Sequence, residues 1–178
     1  MSKVIIYPND RGGIAIIYPA PNCDLLLEEI ARKDVSAGLP HLIIDEADVP
    51  TDHTFFEAFE ADFSEPHGHG VGAQAWFIEQ YEAEIAAVNA VPEPEAPVAG
   101  VPAPFDLIVF PEDMEPEKRQ PAYDAYVARV TAENEAKQKA YEQALANFTT
   151  QKAQRIEQLN QMIAVQQAEL AQLNGAAA

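Results

Sequence analysis

The sequence has 178 residues, with 11 Lys and Arg against 29 Asp and Glu, and its formal net charge is −18. So much negative charge disfavours binding to nucleic-acid phosphates or to an anionic lipid surface, and we expect no nucleic-acid and no membrane partner. One cysteine, Cys23, excludes an internal disulfide or a multi-cysteine zinc site, and no apolar run approaches a membrane span, so we expect a cytoplasmic protein.

The N-terminal residues predict a small sheet with a helix beside it. Apolar, β-branched runs at residues 4–7 and 14–18 flank a turn rich in Pro, Asn, Asp and Gly, which is typical of a β-hairpin. Asp24 can cap a following helix, whose apolar positions Leu26, Leu27 and Ile30 have helical spacing. Residues 41–44 form a short apolar run between Pro40 and two acids, which predicts a third strand.

Two further helices are predicted before residue 91. Phe55, Phe59 and Phe63 repeat every four residues after a possible cap at Thr51 or Asp52, which indicates one apolar helix face. After a glycine-rich loop at residues 64–72, a helix is predicted at residues 73–90. Its apolar face comprises Trp76, Phe77, Tyr81, Ile85 and Val88. Residues 1–90 are therefore predicted to form a small acidic α+β domain.

Residues 91–121 contain eight prolines and are predicted to be an extended linker. Within them, residues 105–110 (FDLIVF) form one apolar run. Its length and flanking prolines suit an edge strand, or a strand that adds to the sheet of another chain.

Residues 122–174 are rich in strong helix formers and predict one helix roughly 80 Å long. From Thr149 onward a seven-residue repeat predicts a coiled coil, although Lys152 and Gln166 occupy core positions. The upstream half keeps no strict register, so we expect a register change near Phe148. We expect a homo-oligomer, with a trimer favoured over a dimer. Its predicted interface residues are Ile156, Leu159, Ile163, Leu170 and Leu173.

The excess negative charge lies in the middle of the chain. Residues 34–117 contain 19 acids and no Lys or Arg. Such a stretch repels itself unless solvent, salt or a basic partner screens it. It is interpreted either as a solvated acidic face or as a docking surface for a basic partner.

No catalytic, cofactor-binding or metal-binding residues are assigned. His67 and His69, with Asp62 or Glu65, could hold a metal, but two ligands in a glycine-rich loop are a weak motif. That loop follows an acidic stretch rather than a strand and has no nearby lysine, which argues against a phosphate-binding loop. No hydrolase motif occurs, and the acid beside Cys23 disfavours a reactive thiolate. No enzymatic activity and no cofactor are therefore expected.

Several short strings in the first 80 residues carry a family resemblance. They are residues 4–10 (VIIYPND) with Gly12 and Gly13, 28–35 (EEIARKDV), 43–45 (IID), 49–52 (VPTD) and 59–63 (FEADF). In these strings the chain resembles small proteins encoded in the tail modules of tailed bacteriophages, near fibre and fibre-assembly genes. The group implies a viral setting rather than an activity. A proline is usual there in place of Ser36, and aspartate and tyrosine in place of His67 and His69, which weakens the metal hypothesis.

These features predict a non-enzymatic structural protein of a phage virion. We expect it in the tail, the tail tip or the fibre apparatus, after assembly in the host cytoplasm and in contact with other tail proteins. The alternative is a tail-fibre assembly chaperone that is absent from the mature particle. A metal-dependent hydrolase centred on His67 and His69 is a third hypothesis.

Overall fold

The computed structural model describes residues 2–51 and 59–176. Within them it contains a four-stranded antiparallel sheet and three α-helices, so the predicted α+β fold class is confirmed. The strands are β1 (Lys3–Pro8), β2 (Ile14–Ile17), β3 (Pro40–Asp45) and β4 (Gly68–His69), and the helices are α1 (Leu27–Asp34), α2 (Ala73–Ala90) and α3 (Pro116–Ala176). Short 3-10 helices lie at Glu46–Asp48 and Phe105–Leu107.

The sheet has the strand order β2-β1-β3-β4, and β1 and β2 form the predicted hairpin. Ile6 of β1 pairs with Ile16 on one side and Leu42 on the other. In the hairpin turn, the Asn9 side-chain oxygen accepts the N–H groups of Arg11 and Gly13. These two bonds fix the turn and, with it, the register of the strands.

Both faces of β1 are buried. Val4 and Ile6 pack with Ile14 and Val49 on one face. On the other face, Ile5 packs against α1 residues, in a cluster made of Ile5, Ile30, Ala31 and Val35. A central strand covered on both faces explains why residues 4–6 are apolar without alternation.

The cap predicted for α1 is wrong. The helix begins at Leu27, and the residue before it, Leu26, donates its N–H to the carboxylate of Glu29 at 3.3 Å. The Glu29 carboxylate therefore accepts the backbone N–H of the N-cap residue, which is one of the two hydrogen bonds of a capping box. Asp24 takes no part because the helix starts three residues beyond it.

The helix predicted from the Phe55, Phe59 and Phe63 repeat falls partly on residues 52–58, which lie outside the described residues. Its last part is wrong, because residues 59–63 are not helical. Phe59, Ala61 and Phe63 are half-buried against the core cluster of Val4, and the residues between them are exposed. A spacing of four residues fits a two-residue alternation as well as a helical turn.

The other two predicted helices are present, with one change of boundary. α2 has the predicted bounds, and all five residues of its predicted apolar face are buried or half-buried. α3 begins at Pro116 rather than at residue 122. Pro116 is tolerated at the first position because an N–H there has no intrahelical partner. Pro121 lies inside the helix and leaves the carbonyl of Glu117 without its usual donor.

The strand predicted at residues 105–110 is wrong. Residues Phe105–Leu107 form a 3-10 turn, and the rings of Phe105 and Phe110 lie 5.3 Å apart, centroid to centroid. Residues five apart point to opposite faces of a strand, so an extended segment could not place both rings together. Packing of the two rings has overridden the strand propensity of the run.

The chain divides into two compact units. The first comprises Met1–Ala86 and Gln158–Ala178, and the second comprises Ala87–Glu157. The end of α3 thus belongs to the same unit as the sheet, while the proline-rich segment belongs with the earlier part of α3. Within the described part of the chain, no helix is both long and apolar enough to cross a membrane.

Candidate interaction surface

The proline-rich residues 91–115, called the strap below, run along α3 in the opposite direction. The Gly100 N–H donates to Asn134 Oδ1 at 2.8 Å, and Asn134 Nδ2 donates to the Gly100 carbonyl at 2.7 Å. Farther along the strap, the Ala103 N–H donates to the Tyr126 hydroxyl at 3.1 Å. The predicted linker is therefore a packed element of the second unit.

The lengths of the two segments match. Lys152 Nζ donates to the carbonyl of Asn89, at the end of α2, and the ring of Phe105 meets that of Tyr123. Between these contacts the chain advances about half as many residues in the strap as in α3, as expected for rises of ~3.1 Å and ~1.5 Å per residue. The strap therefore has the extension of a polyproline helix.

Contacts along the strap recur mainly at every third residue. Pro94, Pro97 and Ala103 are half-buried, as is Pro102, and Gly100, at the intermediate position, is exposed but bonded to Asn134. A polyproline helix has three residues per turn, so the four residues at this spacing form one face of the strap, directed at α3. A β-carbon on Gly100 would lie 3.7 Å from a side-chain carbon of Val130, in ordinary contact.

An aromatic cluster holds the C-terminal end of the strap. Phe105 packs edge-on against Tyr123, with ring centroids 5.2 Å apart, and also contacts Phe110. The guanidinium of Arg119 lies 6.0 Å from the centre of the Phe110 ring. Aromatic packing at this end and hydrogen bonds at Gly100 thus attach the strap at two separated points.

Near these attachments the strap exposes aliphatic side chains. Val98, Val101 and Val109 are 89%, 87% and 96% exposed, and Leu107 is also largely exposed. The charged residues of the strap are all acidic: Glu93, Glu95, Asp106, Glu112, Asp113 and Glu115. The outward face therefore combines aliphatic side chains with negative charge.

A cleft of about 630 Å³ opens between the strap and α3 beside the Gly100 attachment. Pro97, Val98 and Ala99 line one side, and residues of α3 from Asn134 to Glu142 line the other. Because the strap and α3 are not closely packed at this cleft, we expect the two hydrogen bonds between Gly100 and Asn134 to provide much of the local stability of the strap.

The part of α3 beside the strap presents a half-buried stripe. Its members recur at intervals that fit one face of a helix, and they are Tyr123, Tyr126, Val130, Asn134, Tyr141, Leu145 and Phe148. Three of them contact the strap directly, namely Tyr123, Tyr126 and Asn134. The missing heptad register in this half is explained, because its partner is an extended segment rather than a second helix.

The predicted interface residues on α3 differ in exposure. Leu159 is 0% exposed within the single chain, whereas Ile156, Ile163 and Leu170 are half-buried and Leu173 is 56% exposed. The assignment of Leu159 to an intermolecular core is therefore corrected, because its side chain is already covered by its own chain. Leu173 remains accessible to a second molecule.

Three histidines lie near one another at the junction of β3 and β4. Pro40 pairs with His69 and His41 with Gly68, and the Ile43 N–H donates to His67 Nδ1 at 2.8 Å. Asp62, considered above as a metal ligand, accepts the Ser64 N–H at 2.9 Å, and this bond lowers the pKa of Asp62. Two of the groups considered for a metal thus already have protein partners.

Other candidate chemical groups do not converge. Within residues 2–51 and 59–176, no three His, Cys, Asp or Glu side chains come together in a way that could hold a metal ion. Cys23 is an exposed free thiol. Reasoning from the sequence missed Asn134 and the strap contacts, although the three-residue spacing of Pro94, Pro97 and Gly100 was available as a signal.

Comparisons with known proteins identify no relative. No family model, no curated protein and no solved structure matches the chain. Arguments about function therefore start from the surface that the chain itself presents.

Proposed function

We propose that the chain is a non-catalytic structural component of a bacteriophage virion, located in the tail, the tail tip or the fibre apparatus. It self-associates through α3 and contacts neighbouring subunits through its acidic surface. The resemblance of residues 1–80 to small tail-module proteins supports the viral setting. The outward face of the strap is the observation that carries the adhesive role.

A strap held on a helix is well suited to binding. Its extended conformation is already formed, so a partner does not have to order a free chain, which reduces the entropic cost of association. Val98 and Val101, three residues apart, lie on one side of a polyproline helix and offer aliphatic contact. The acidic residues of the strap favour a partner surface that carries Lys or Arg.

The exposed end of α3 supports the self-association part of the proposal. Leu173 is exposed and Leu170 is half-buried at the predicted heptad positions. A second copy could cover these side chains and bury their apolar area. Leu159 is left out of this interface because its own chain covers it.

Quantitative mass spectrometry of purified particles tests the proposal. We expect the chain in constant stoichiometry with a major tail protein after density-gradient purification and a high-salt wash. The high-salt wash serves as the control, because it removes copies of the chain that adhere to the particle only through their negative surface charge. Complete absence from particles that are infectious would contradict the structural role and favour the fibre-assembly chaperone.

A further inference from the structure

The residues at the junction of β3, β4 and α1 form a cluster that the proposed function does not use. His41 is 4% exposed, and its Nδ1 has no hydrogen-bond partner among the described residues. A β-carbon on Gly68 would lie 3.0 Å from His41 Cε1, so the imidazole packs directly against the backbone of β4.

The segment 67–71, called the latch below, precedes α2 and is bonded through its backbone to the sheet region and to α1. The His67 N–H donates to the His41 carbonyl, the Gly70 N–H to the Leu39 carbonyl and the Val71 N–H to the Arg32 carbonyl, at 2.8–2.9 Å. The latch therefore contacts both β3 and the end of α1.

One further bond of the latch depends on protonation. The Ile43 N–H donates to His67 Nδ1, so this nitrogen must carry a lone pair. An imidazolium has an N–H at both nitrogens and cannot accept a hydrogen bond. Protonation of His67 therefore breaks this bond, and protonation of His41 places a charge and an unpaired donor in a buried site.

The charges near His41 reinforce this effect. Burial lowers the pKa of His41 first, and the charges of His67 and His69 lower it further. On α1, which packs against β3 and β4, Arg32 is paired with Glu79 and Lys33 with Asp34. Apart from the histidines, the other titratable residues on β1, β3 and α1 are Lys3, which is paired with Asp45 of β3, Tyr7 on β1, and Glu28 and Glu29 on α1.

We propose that residues 67–71 form a proton-sensitive latch that closes on β3 when His41 and His67 are neutral and opens when they are protonated. This inference is independent of the proposed function. The open form binds protons more readily than the closed form, so the latch is fully stable above the ordinary histidine range. It weakens as the pH falls through about 6.5.

Amide hydrogen exchange on the full chain, followed by NMR, tests the latch. Protection factors of the Ile43, Gly70 and Val71 amides are measured from about pH 7.5 to about pH 5.5 and corrected for intrinsic exchange. We expect protection to fall by up to about ten-fold per pH unit for each proton taken up on opening. The amides of Ile6 and Ile16, paired between β1 and β2, report on the rest of the sheet and should change less.

Two variants separate the roles of the histidines. His67→Asn keeps an oxygen that can accept the Ile43 N–H but cannot be protonated, so the pH dependence at Ile43 should shrink. His69→Asn, at an exposed position, should retain most of the pH dependence.

The proposal does not depend on these variants folding, because the imidazole signals of the unmodified chain can be titrated. The His41 signal should titrate below the ordinary histidine range, together with the loss of protection at Gly70 and Val71. Unchanged protection of the latch amides down to about pH 5.5, or a fall that matches the fall at Ile6 and Ile16, would overturn it.

Discussion

Gly70 occupies a position where a side chain has no room. A β-carbon there would lie 2.6 Å from the carbonyl carbon of Val35 and 2.7 Å from the carbonyl oxygen of Ser36. Both atoms belong to backbone, which cannot turn aside as a flexible side chain can. Gly70→Ala should therefore destabilise the chain by about 3 kcal/mol, through displacement of β4 from the turn after α1. Thermal or urea unfolding followed by circular dichroism measures the change.

Gly175→Ala is the matched control for this prediction. Nothing lies within 4 Å of a β-carbon at Gly175, and the residue is in α3, where alanine is the better helix former. Its stability should be unchanged or slightly raised. Equal stability of the Gly70→Ala and Gly175→Ala variants would contradict this prediction, because it would show that the backbone around Gly70 shifts with no loss of unfolding free energy.

Single residues were predicted well where a local pattern decides their environment and poorly where distant backbone decides it. The turn around Asn9 and the apolar face of α2 followed from neighbouring residues alone. The need for glycine at position 70 depends on Val35, which is far away in the sequence. Phe59 and Phe63 were misassigned because their four-residue spacing fits two kinds of periodicity.

At the scale of elements, the attachment of the strap depends on Asn134. This side chain both donates to and accepts from Gly100, beside a cleft where packing is absent. Asn134→Leu keeps the approximate size and loses both bonds, so the strap should lose about 1–2 kcal/mol of local stability. Amide exchange at Gly100 and Ala103 should then accelerate by roughly 5- to 30-fold.

Thr131→Ala is the control for Asn134→Leu. Thr131 is exposed, and its hydroxyl bonds only within α3, to the carbonyl of Val127. The control should leave exchange at Gly100 unchanged. If both variants accelerate exchange equally, the effect comes from a change in α3 and the bonds to Gly100 contribute little.

For the strap and α3, the sequence predicted the two elements but not their contact with each other. Six of the eight prolines of the predicted linker lie in the extended strap, whereas Pro116 and Pro121 lie in α3, which the helix formers indicated. The pairing of the two depends on tertiary contacts such as those of Phe105 with Tyr123. Such contacts also turned residues 105–107 into a 3-10 helix, against their local preference for a strand.

At the scale of the whole molecule, a periodic apolar stripe identifies a buried face but not the partner that buries it. The heptad from Thr149 onward correctly placed Leu159 on a packed face of α3. The side chain is nevertheless covered within one chain, because residues 158–178 belong to the unit that contains the sheet. An intramolecular partner and a second copy require the same spacing of apolar residues, so the sequence could not distinguish them.

Self-association can therefore be tested at the part of the apolar stripe of α3 that is exposed in the single chain. Leu173 is 56% exposed at a predicted core position, and Val165 is 54% exposed outside the predicted heptad core. Aspartate at either position adds one charge to an exposed helix site and should affect the folding of the single chain similarly. Only Leu173→Asp should bury that charge in an interface, where its desolvation costs several kcal/mol.

Sedimentation velocity of the full chain over a range of concentrations measures this difference. We expect the unmodified chain and Val165→Asp to form the same oligomer, whose dissociation constant Leu173→Asp raises by about 100-fold or more. High salt should strengthen the association, because the net charge of −18 repels copies from one another. If all three proteins remain monomers at high salt, the end of α3 is a surface of the single chain, and the proposed tail component must bind its neighbours through the strap.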